Sequence, residues 1–107
     1  MTMKDIDPKA ILDLDRMVHE PARLAILTVL ASAEEVAFLF LQRVTGLSKG
    51  NLSSHTQKLE AGGYLETLKT FQRRIPVTSF RITEDGRAAL RTYHMQLRAL
   101  LPKEGKP

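Results

Sequence analysis

The sequence predicts an α+β fold that is mostly helical, with a two-stranded hairpin placed before the last helix. Apolar residues recur at helical spacing in the first half of the chain, whereas residues 77–82 alternate with a period of two. The 107 residues are 43% hydrophobic and 26% charged, as in an ordinary globular protein. We therefore expect one domain, residues 1–107, with one modest core and flexible tails at 1–6 and 102–107.

Two helices are predicted before residue 34. Asp7 and Pro8 begin the first, because Asp is a good N-cap and Pro at the first helical position loses no hydrogen bond. This flanking N-terminal helix should end near His19, since Pro21 disfavours helix in the residue before it. Pro21 then begins a second helix that runs to about Ala33.

A short strand and two more helices are predicted next. Val36–Phe38 is the strand and Leu39–Thr45 the first of these helices. Ser48 is the predicted N-cap of a longer helix from Lys49 to about Ala61. The pair Gly62–Gly63 ends that helix, because glycine adopts the left-handed conformation without strain.

A hairpin and a last helix complete the pattern. Strands are predicted at 64–70 and 77–82, on either side of a basic loop, 71–76, whose Pro76 cannot donate to a central ladder. Thr83 is the predicted cap of a C-terminal helix that runs to about Leu101. This order of elements is the winged helix-turn-helix topology, with a two-stranded wing and flanking N- and C-terminal helices.

Charge is unevenly distributed along the chain, whose formal net charge is +4. Residues 1–35 hold four basic and seven acidic side chains, whereas residues 43–91 hold nine basic and four acidic ones. A basic middle segment after an acidic start indicates a surface that faces a polyanion.

Several classes of protein are disfavoured by composition. The absence of cysteine excludes disulfides and thiolate metal sites, and a cytoplasmic protein is expected. No apolar leader follows Met1–Asp5, and the longest apolar run, Val36–Leu41, is far shorter than the ~20 residues of a membrane span.

The helix that begins at Lys49 and the basic hairpin after it are the predicted site. Leu52, Thr56 and Leu59 share the buried side of this helix, and the opposite side offers hydroxyls, amides and lysines. Such side chains can contact base edges and phosphates in a major groove, and arginines on a hairpin can enter a minor groove or hold phosphates. The alternative is that the polar side of the helix is only a solvated surface and that the arginines only keep an exposed hairpin soluble. His55 is expected either to pack against the rest of the chain or to contact a phosphate. The predicted DNA-binding residues are Ser48, Lys49, Gly50, Asn51, Ser53, Ser54, His55, Gln57, Lys58, Lys69, Gln72, Arg73 and Arg74.

The chain resembles a known family over residues 17–91, most of its length. The residues that carry the resemblance are His19–Leu27, Thr45–His55, Lys58–Glu66, Lys69–Phe71, Arg74, Pro76, Thr78, Phe80, Ile82–Glu84 and Gly86–Arg87. These segments resemble the compact, single-domain winged-helix transcriptional regulators of the ArsR/MarR-like type. The resemblance implies sequence-specific DNA binding, a homodimer and control of transcription, and it implies no ligand. Two positions depart from the pattern: Thr56 stands where Leu is common, and Gly62 where Ala is usual.

The two terminal helices carry more apolar residues than a small core can cover. A two-fold interface between two copies is therefore predicted, as the resemblance also implies; the alternative is that both helices complete the core of one chain. The predicted interface residues are Ile11, Leu12, Leu14, Leu90, Tyr93, Leu97, Leu100 and Leu101.

Neither catalysis nor metal binding is indicated. His19, His55 and His94 fall on three different predicted helices without ligand spacing, so no metal and no cofactor are expected. The chain has no Gly-rich phosphate loop, paired-carboxylate motif or nucleophile–base pair, which argues against an enzyme. The competing hypothesis is a winged-helix module that binds protein or RNA without specificity for duplex DNA. A small-molecule effector is compatible with the sequence but not indicated by it.

Overall fold

The computed structural model describes residues 7–101. The predicted tails, 1–6 and 102–107, lie outside these residues, as does Met1–Asp5, the segment for which no leader is predicted. The elements in chain order are α1 (Pro8–Ile11), α2 (Pro21–Ala31), β1 (Val36–Ala37), α3 (Phe38–Thr45), α4 (Lys49–Ala61), β2 (Leu65–Gln72), β3 (Ile75–Ile82) and α5 (Glu84–Leu100). The predicted winged helix-turn-helix fold is confirmed, with boundaries of α2, β1 and α3 shifted by one or two residues.

The core lies between an antiparallel sheet and the helices that cover it. The sheet has the strand order β1-β3-β2. Ile26, Leu27 and Leu30 of α2 pack with Leu52 and Leu59 of α4, and all five side chains are almost completely buried. Burial of aliphatic side chains contributes ~2 kcal/mol each, so α2 and α4 are held to each other mainly by this contact.

The N-terminal helix is much shorter than predicted, because α1 ends at Ile11 instead of near His19. The carboxylate of Asp15 accepts the backbone N–H of Met17 at 2.8 Å and of Val18 at 3.3 Å. An aspartate that binds nearby backbone donors offers the chain an alternative to helical hydrogen bonds. Residues 12–20 therefore form successive turns between α1 and α2.

Asp15 also connects these turns to the hairpin. Its second carboxylate oxygen accepts a hydrogen bond from the hydroxyl of Tyr64. This hydrogen bond, followed by burial and by the negative charges of Asp15 and Asp85, raises the pKa of Tyr64 to about 12. The phenol therefore remains protonated well above neutral pH and keeps donating to Asp15.

The predicted N-cap Asp7 is confirmed, because its carboxylate accepts the backbone N–H of Lys9 at 3.0 Å at the start of α1. Two further predicted helix caps are confirmed as well. The hydroxyl of Ser48 accepts the backbone N–H of Asn51 at 3.1 Å at the start of α4, and that of Thr83 accepts the N–H of Gly86 at 3.0 Å at the start of α5. The left-handed residue after α4 is Gly63, with φ of 82°. Because these caps are local, sequence alone places both helix starts correctly.

The hairpin formed by β2 and β3, here called the wing, is longer than predicted. Its strands extend to Gln72 and Ile75, which pair with each other, so the six-residue loop shrinks to Arg73 and Arg74. Both arginines have positive φ, at 51° and 69°. A two-residue turn with two positive φ angles matches the right-handed twist of the flanking strands, which favours continued pairing up to the turn.

Pro76 lies inside β3, the central strand of the sheet, and pairs with Phe71. Its missing N–H is tolerated because β1 pairs with β3 only at Ser79 and Phe80. At Pro76 the strand therefore has a neighbour on one side only, as at a sheet edge.

Candidate nucleic-acid interface

Helix α4 presents a buried and an exposed side, as predicted. Leu52, Thr56 and Leu59 are buried against the rest of the chain. Ser48 at the cap is exposed, and Ser53 is half-buried. The other exposed residues from the predicted set are Lys49, Gly50, Asn51, Ser54, Gln57 and Lys58. This exposed side offers hydrogen-bond donors, acceptors and two ammonium groups, the chemistry needed to contact base edges and phosphates.

The departure at Thr56 leaves the buried side of α4 intact. The Thr56 hydroxyl donates to the carbonyl oxygens of Leu52, at 2.9 Å, and Ser53, at 3.1 Å. A buried hydroxyl is tolerated when its hydrogen bonds are made, so the residue satisfies its polar group within its own helix.

His55 lies on the side of α4 that faces α2, and it is half-buried. Its Nδ1 is 3.2 Å from Nη1 of Arg23 and 3.9 Å from Oε1 of Glu20. The guanidinium of Arg23 also donates from Nε to the carbonyl oxygen of Met17 at 2.8 Å. Of the two roles left open by the sequence, this geometry favours the packed one: the Arg23 contact ties α4 to α2 and to the turns before it.

The sequence alone does not indicate that Arg23 and Glu20 lie beside His55 of α4. The Glu20 carboxylate accepts the Arg23 N–H at 2.8 Å and caps α2. Pro21 at the first helical position is a local sign of this helix start, whereas glutamate is not a typical N-cap residue. The contact with His55 joins residues 32 positions apart, and nothing local indicates it.

An open groove of about 930 Å³ separates α4 from the wing. Lys49, Ser53 and Gln57 line the groove on the α4 side, and Lys69 and Gln72 line it on the wing side. Lysines therefore stand on both walls, while Glu60 adds one carboxylate to the same lining. The arrangement brings together predicted site residues from two parts of the chain that are separated by the exit from α4.

The cations of the wing are available for an external partner. Lys69, Arg73 and Arg74 are exposed, as is Gln72. Within residues 7–101 none of the three cations forms an ion pair, whereas Arg81 near the base of the wing pairs with Glu66 at 2.9 Å and Glu35 at 3.7 Å. The positive charge of Lys69, Arg73 and Arg74 is thus not neutralised by the described part of the chain.

Three of the predicted interface residues belong to the core of one chain. Leu14, Leu90 and Tyr93 are buried, and the hydroxyl of Tyr93 lies 2.8 Å from Nδ1 of His19. Leu14 lies in the turns that follow α1, and the other two lie on the inner side of α5. Their assignment to an interface between copies is therefore corrected.

The remaining predicted interface residues reach the surface. Ile11, Leu12 and Leu101 are exposed, whereas Leu97 and Leu100 are half-buried against the core. Because α1 packs against α5, these residues come from adjoining elements. They form the apolar surface here called the terminal-helix face.

Among residues 7–101, no three His, Cys, Asp or Glu side chains come together in a way that could hold a metal ion. His19 lies in the turns before α2 and not in a helix as predicted, while His55 and His94 lie in α4 and α5. None of the helices within residues 7–101 has the length and hydropathy of a membrane span.

Comparison with known proteins identifies the family. Residues 22–101 match the family described as winged helix DNA-binding domain. The chain belongs to this family. An uncharacterised protein of Methanocaldococcus jannaschii is 33% identical to this winged-helix protein over 78 residues, which cover 73% of the chain and 85% of the relative.

Solved structures extend the comparison. A transcriptional regulator homologue from Pyrococcus horikoshii is 29% identical with a TM-score of 0.79, covering 85% of this chain and 92% of its own. A MarR family regulator from Silicibacter pomeroyi is 17% identical with a TM-score of 0.64, covering 86% of this chain and 61% of its own. An ArsR family regulator shares the fold as well. The winged-helix protein is thus a winged helix DNA-binding domain, and it shares its fold with transcriptional regulators of the MarR and ArsR families.

Proposed function

We propose that the winged-helix protein is a homodimeric transcriptional regulator that binds specific sequences of duplex DNA in the cytoplasm. Helix α4 enters the major groove, and the wing contacts the adjacent minor groove or phosphates. The observation that carries this proposal is the groove in which the polar side of α4 faces Lys69 and Gln72 of the wing. Family membership supports duplex DNA as the partner rather than RNA or protein alone.

The start of α4 is suited to a phosphate. Its first backbone N–H groups point out of the helix end, where the helix dipole is positive. One of these donors, the backbone N–H of Asn51, is bound by the Ser48 hydroxyl, and Lys49 adds a positively charged side chain beside the others. The space beside the Cα of Gly50 is open, since an added Cβ would meet nothing within 4 Å. Because glycine has no side chain, the DNA backbone can approach the helix closely at this position. These features position α4 along the DNA, while Ser54 and Gln57 lie where base edges can be read.

A division of labour between α4 and the wing is expected. Gln57→Ala or Ser54→Ala should relax sequence preference, because these side chains carry hydrogen-bonding groups that can distinguish bases. Arg73→Ala or Arg74→Ala should weaken binding to all sequences and reduce its salt dependence, because phosphate contacts release counterions. The measurement is the Kd for duplexes selected from a random pool and for scrambled duplexes, at several salt concentrations.

The outcome of this measurement also separates the competing functions. Equal effects of both classes of variant on every duplex would contradict the division of labour. If the wild-type protein bound no duplex even at low salt, DNA binding itself would be excluded and the protein- or RNA-binding module would remain.

The terminal-helix face supports the homodimer. Leu12 is 68% exposed, and Leu97 and Leu100 lie on the neighbouring helix with part of their surface uncovered. A two-fold contact through this face would place two copies of α4 on half-sites about 34 Å apart. In such a dimer the exposed apolar residues at the ends of α1 and α5 would be covered by the same residues of the second copy.

The mass in solution is expected to be near twice that of the 12.0 kDa chain at micromolar concentration. Leu12→Asp should shift the protein towards the monomer, because the new carboxylate would be desolvated in an apolar interface. Leu39→Asp is the matched control, since Leu39 is 74% exposed on α3, away from the terminal helices. Light scattering after size exclusion measures both, and a wild-type monomer would refute the dimer.

A further inference from the structure

The outer wing, Lys69–Thr78, combines exposed apolar side chains with positive charge. Phe71 and Ile75 are 71% and 64% exposed, although large apolar side chains normally lose water on folding. Strand positions beyond residue 68 in β2 and before residue 77 in β3 are all exposed, so the outer wing projects from the core. No acidic residue occurs between Glu66 and Glu84.

The two apolar residues lie on opposite faces of the wing. In the strand register Phe71 is paired with Pro76, and Gln72 with Ile75. Because successive strand residues point to opposite faces, Phe71 and Ile75 extend on either side of the ribbon. Each face of the tip therefore carries one large apolar side chain, and the turn that joins the two strands consists of Arg73 and Arg74.

This arrangement suits insertion between two walls. A hairpin that merely lies on phosphates needs cations on one face, and apolar groups on the other face would gain nothing from the contact. The walls of a DNA minor groove are lined by deoxyribose rings beneath the phosphates, so an inserted tip meets apolar surface on both sides and negative charge at the rim. Ile75 and Pro76 also line the groove beside α4, which makes the outer wing continuous with the proposed DNA surface.

We propose that Phe71 and Ile75 are DNA-contact residues that pack against the deoxyribose walls of the minor groove beside the site bound by α4. The inference rests on the proposed function and adds apolar contacts to the cationic ones predicted for the wing. These contacts make the affinity of the wing depend on how readily the minor groove accepts a wedge, and therefore on the sequence of base pairs that α4 does not reach.

The test compares Phe71→Ala and Ile75→Ala with Arg73→Ala on a selected duplex extended by about ten base pairs on each side. Each apolar truncation should raise Kd about tenfold at every salt concentration, since a lost apolar contact releases no counterions. Arg73→Ala should instead reduce the slope of log K against log salt by about 0.9 per protomer. Met95→Ala, which removes an equally exposed side chain from α5 (66%), is the control and should leave Kd unchanged.

A second duplex that ends where α4 stops contacting it completes the test. On this shorter duplex Phe71→Ala and wild type should bind equally, because the wedge has no groove to enter. The inference is overturned if Phe71→Ala matches wild type on the long duplex, or if its defect appears only as a changed salt slope. Two other partners of the outer wing are checked with the same variants: a second copy of the chain, through the mass in solution, and a membrane, through binding to phosphatidylserine vesicles. The inference is also overturned if the variants change either of these while DNA binding stays intact. Absence of binding by wild type would refute the proposed function instead, so the two failures are distinguishable.

Discussion

Gly86→Ala is expected to lower the free energy of unfolding by at least ~3 kcal/mol, although alanine is the better helix former. Gly86 is the third residue of α5 and is buried. A Cβ at this position would overlap the carbonyl oxygen of Tyr64 and lie 2.9 Å from Cγ1 of Ile82. A side chain cannot rotate away from such an overlap, because the Cβ is fixed by the backbone and its main neighbour is itself a backbone atom.

The carbonyl of Tyr64 has little freedom to move away. It accepts the backbone N–H of Thr83 at 3.1 Å, and the Thr83 hydroxyl in turn donates to the carbonyl oxygen of Gly63 at 2.6 Å. Relief of the overlap would therefore disturb both the start of α5 and the entry to the wing. Overpacking of this kind costs ~1–3 kcal/mol where side chains can adjust, and more where backbone must shift.

Gly50→Ala is the matched control for this substitution. Gly50 is also near the start of a helix, but a Cβ there would meet nothing within 4 Å. The free energy of unfolding should be unchanged or rise by up to ~1 kcal/mol, since alanine loses less backbone entropy than glycine. Urea unfolding measures both variants, read at constant m-value. A stable Gly86→Ala variant would contradict the close packing of α5 against Tyr64.

The parts of the fold that depend on neighbouring residues could be predicted from the sequence. The span of α4 follows from the Ser48 cap and the glycines after Ala61, and its buried side follows from the spacing of Leu52 and Leu59. The start of α5 follows in the same way from Thr83. In each case the deciding interaction joins residues only a few positions apart, so a local pattern contains the information.

The errors occur where a distant contact or a local competitor decides. The helical pattern after Pro8 predicts a long α1, but Asp15 binds backbone donors and the Tyr64 hydroxyl instead. Leu14 and Tyr93 look like surplus apolar residues when each helix is considered alone, yet both enter the core. The hydrophobic pattern shows which side of an element is apolar but cannot show whether its partner is the same chain or another copy.

The candidate site shows the same division. The exposed side of α4 follows from helical geometry, and the structure places Lys49 and Gln57 on the groove. The packing of His55 on Arg23 could not be predicted, because it depends on how α2 crosses α4. The positive φ angles of Arg73 and Arg74 could not be predicted from the sequence either, since arginine is not typical of a two-residue turn with two positive φ angles.

Replacing Arg73-Arg74 with Asn-Gly is expected to stabilise the fold and weaken DNA binding at the same time. Residues other than Gly, Asn and Asp are strained at positive φ, by ~1–2 kcal/mol each, and both arginines have this conformation. Asn-Gly is the preferred pair for such a two-residue turn. Relief of strain at both positions amounts to ~2–4 kcal/mol, and the greater backbone entropy that glycine loses on folding offsets part of it. The free energy of unfolding should therefore rise by ~1–2 kcal/mol, seen as a higher urea midpoint or a Tm raised by several degrees.

The expected loss in DNA binding follows from the same two residues. Both guanidinium groups lie at the projecting end of the wing without ion pairs in the described part of the chain. If each contacts a phosphate, the variant releases two fewer counterions per protomer, and the slope of log K against log salt falls by ~1.8. At moderate salt this corresponds to a rise in Kd of roughly tenfold to hundredfold for every duplex.

The double variant Arg73→Lys/Arg74→Lys separates the two effects. It keeps the charge and the positive φ angles, so both the unfolding free energy and the salt slope should stay near wild type. A gain in stability without loss of binding for Asn-Gly would show that the turn does not contact DNA. A strained turn of two arginines that persists where Asn-Gly would be more stable is the pattern expected when a loop is shaped for binding and not for stability. Opposite signs for stability and affinity in one substitution would therefore identify the tip of the wing as part of the DNA-binding surface.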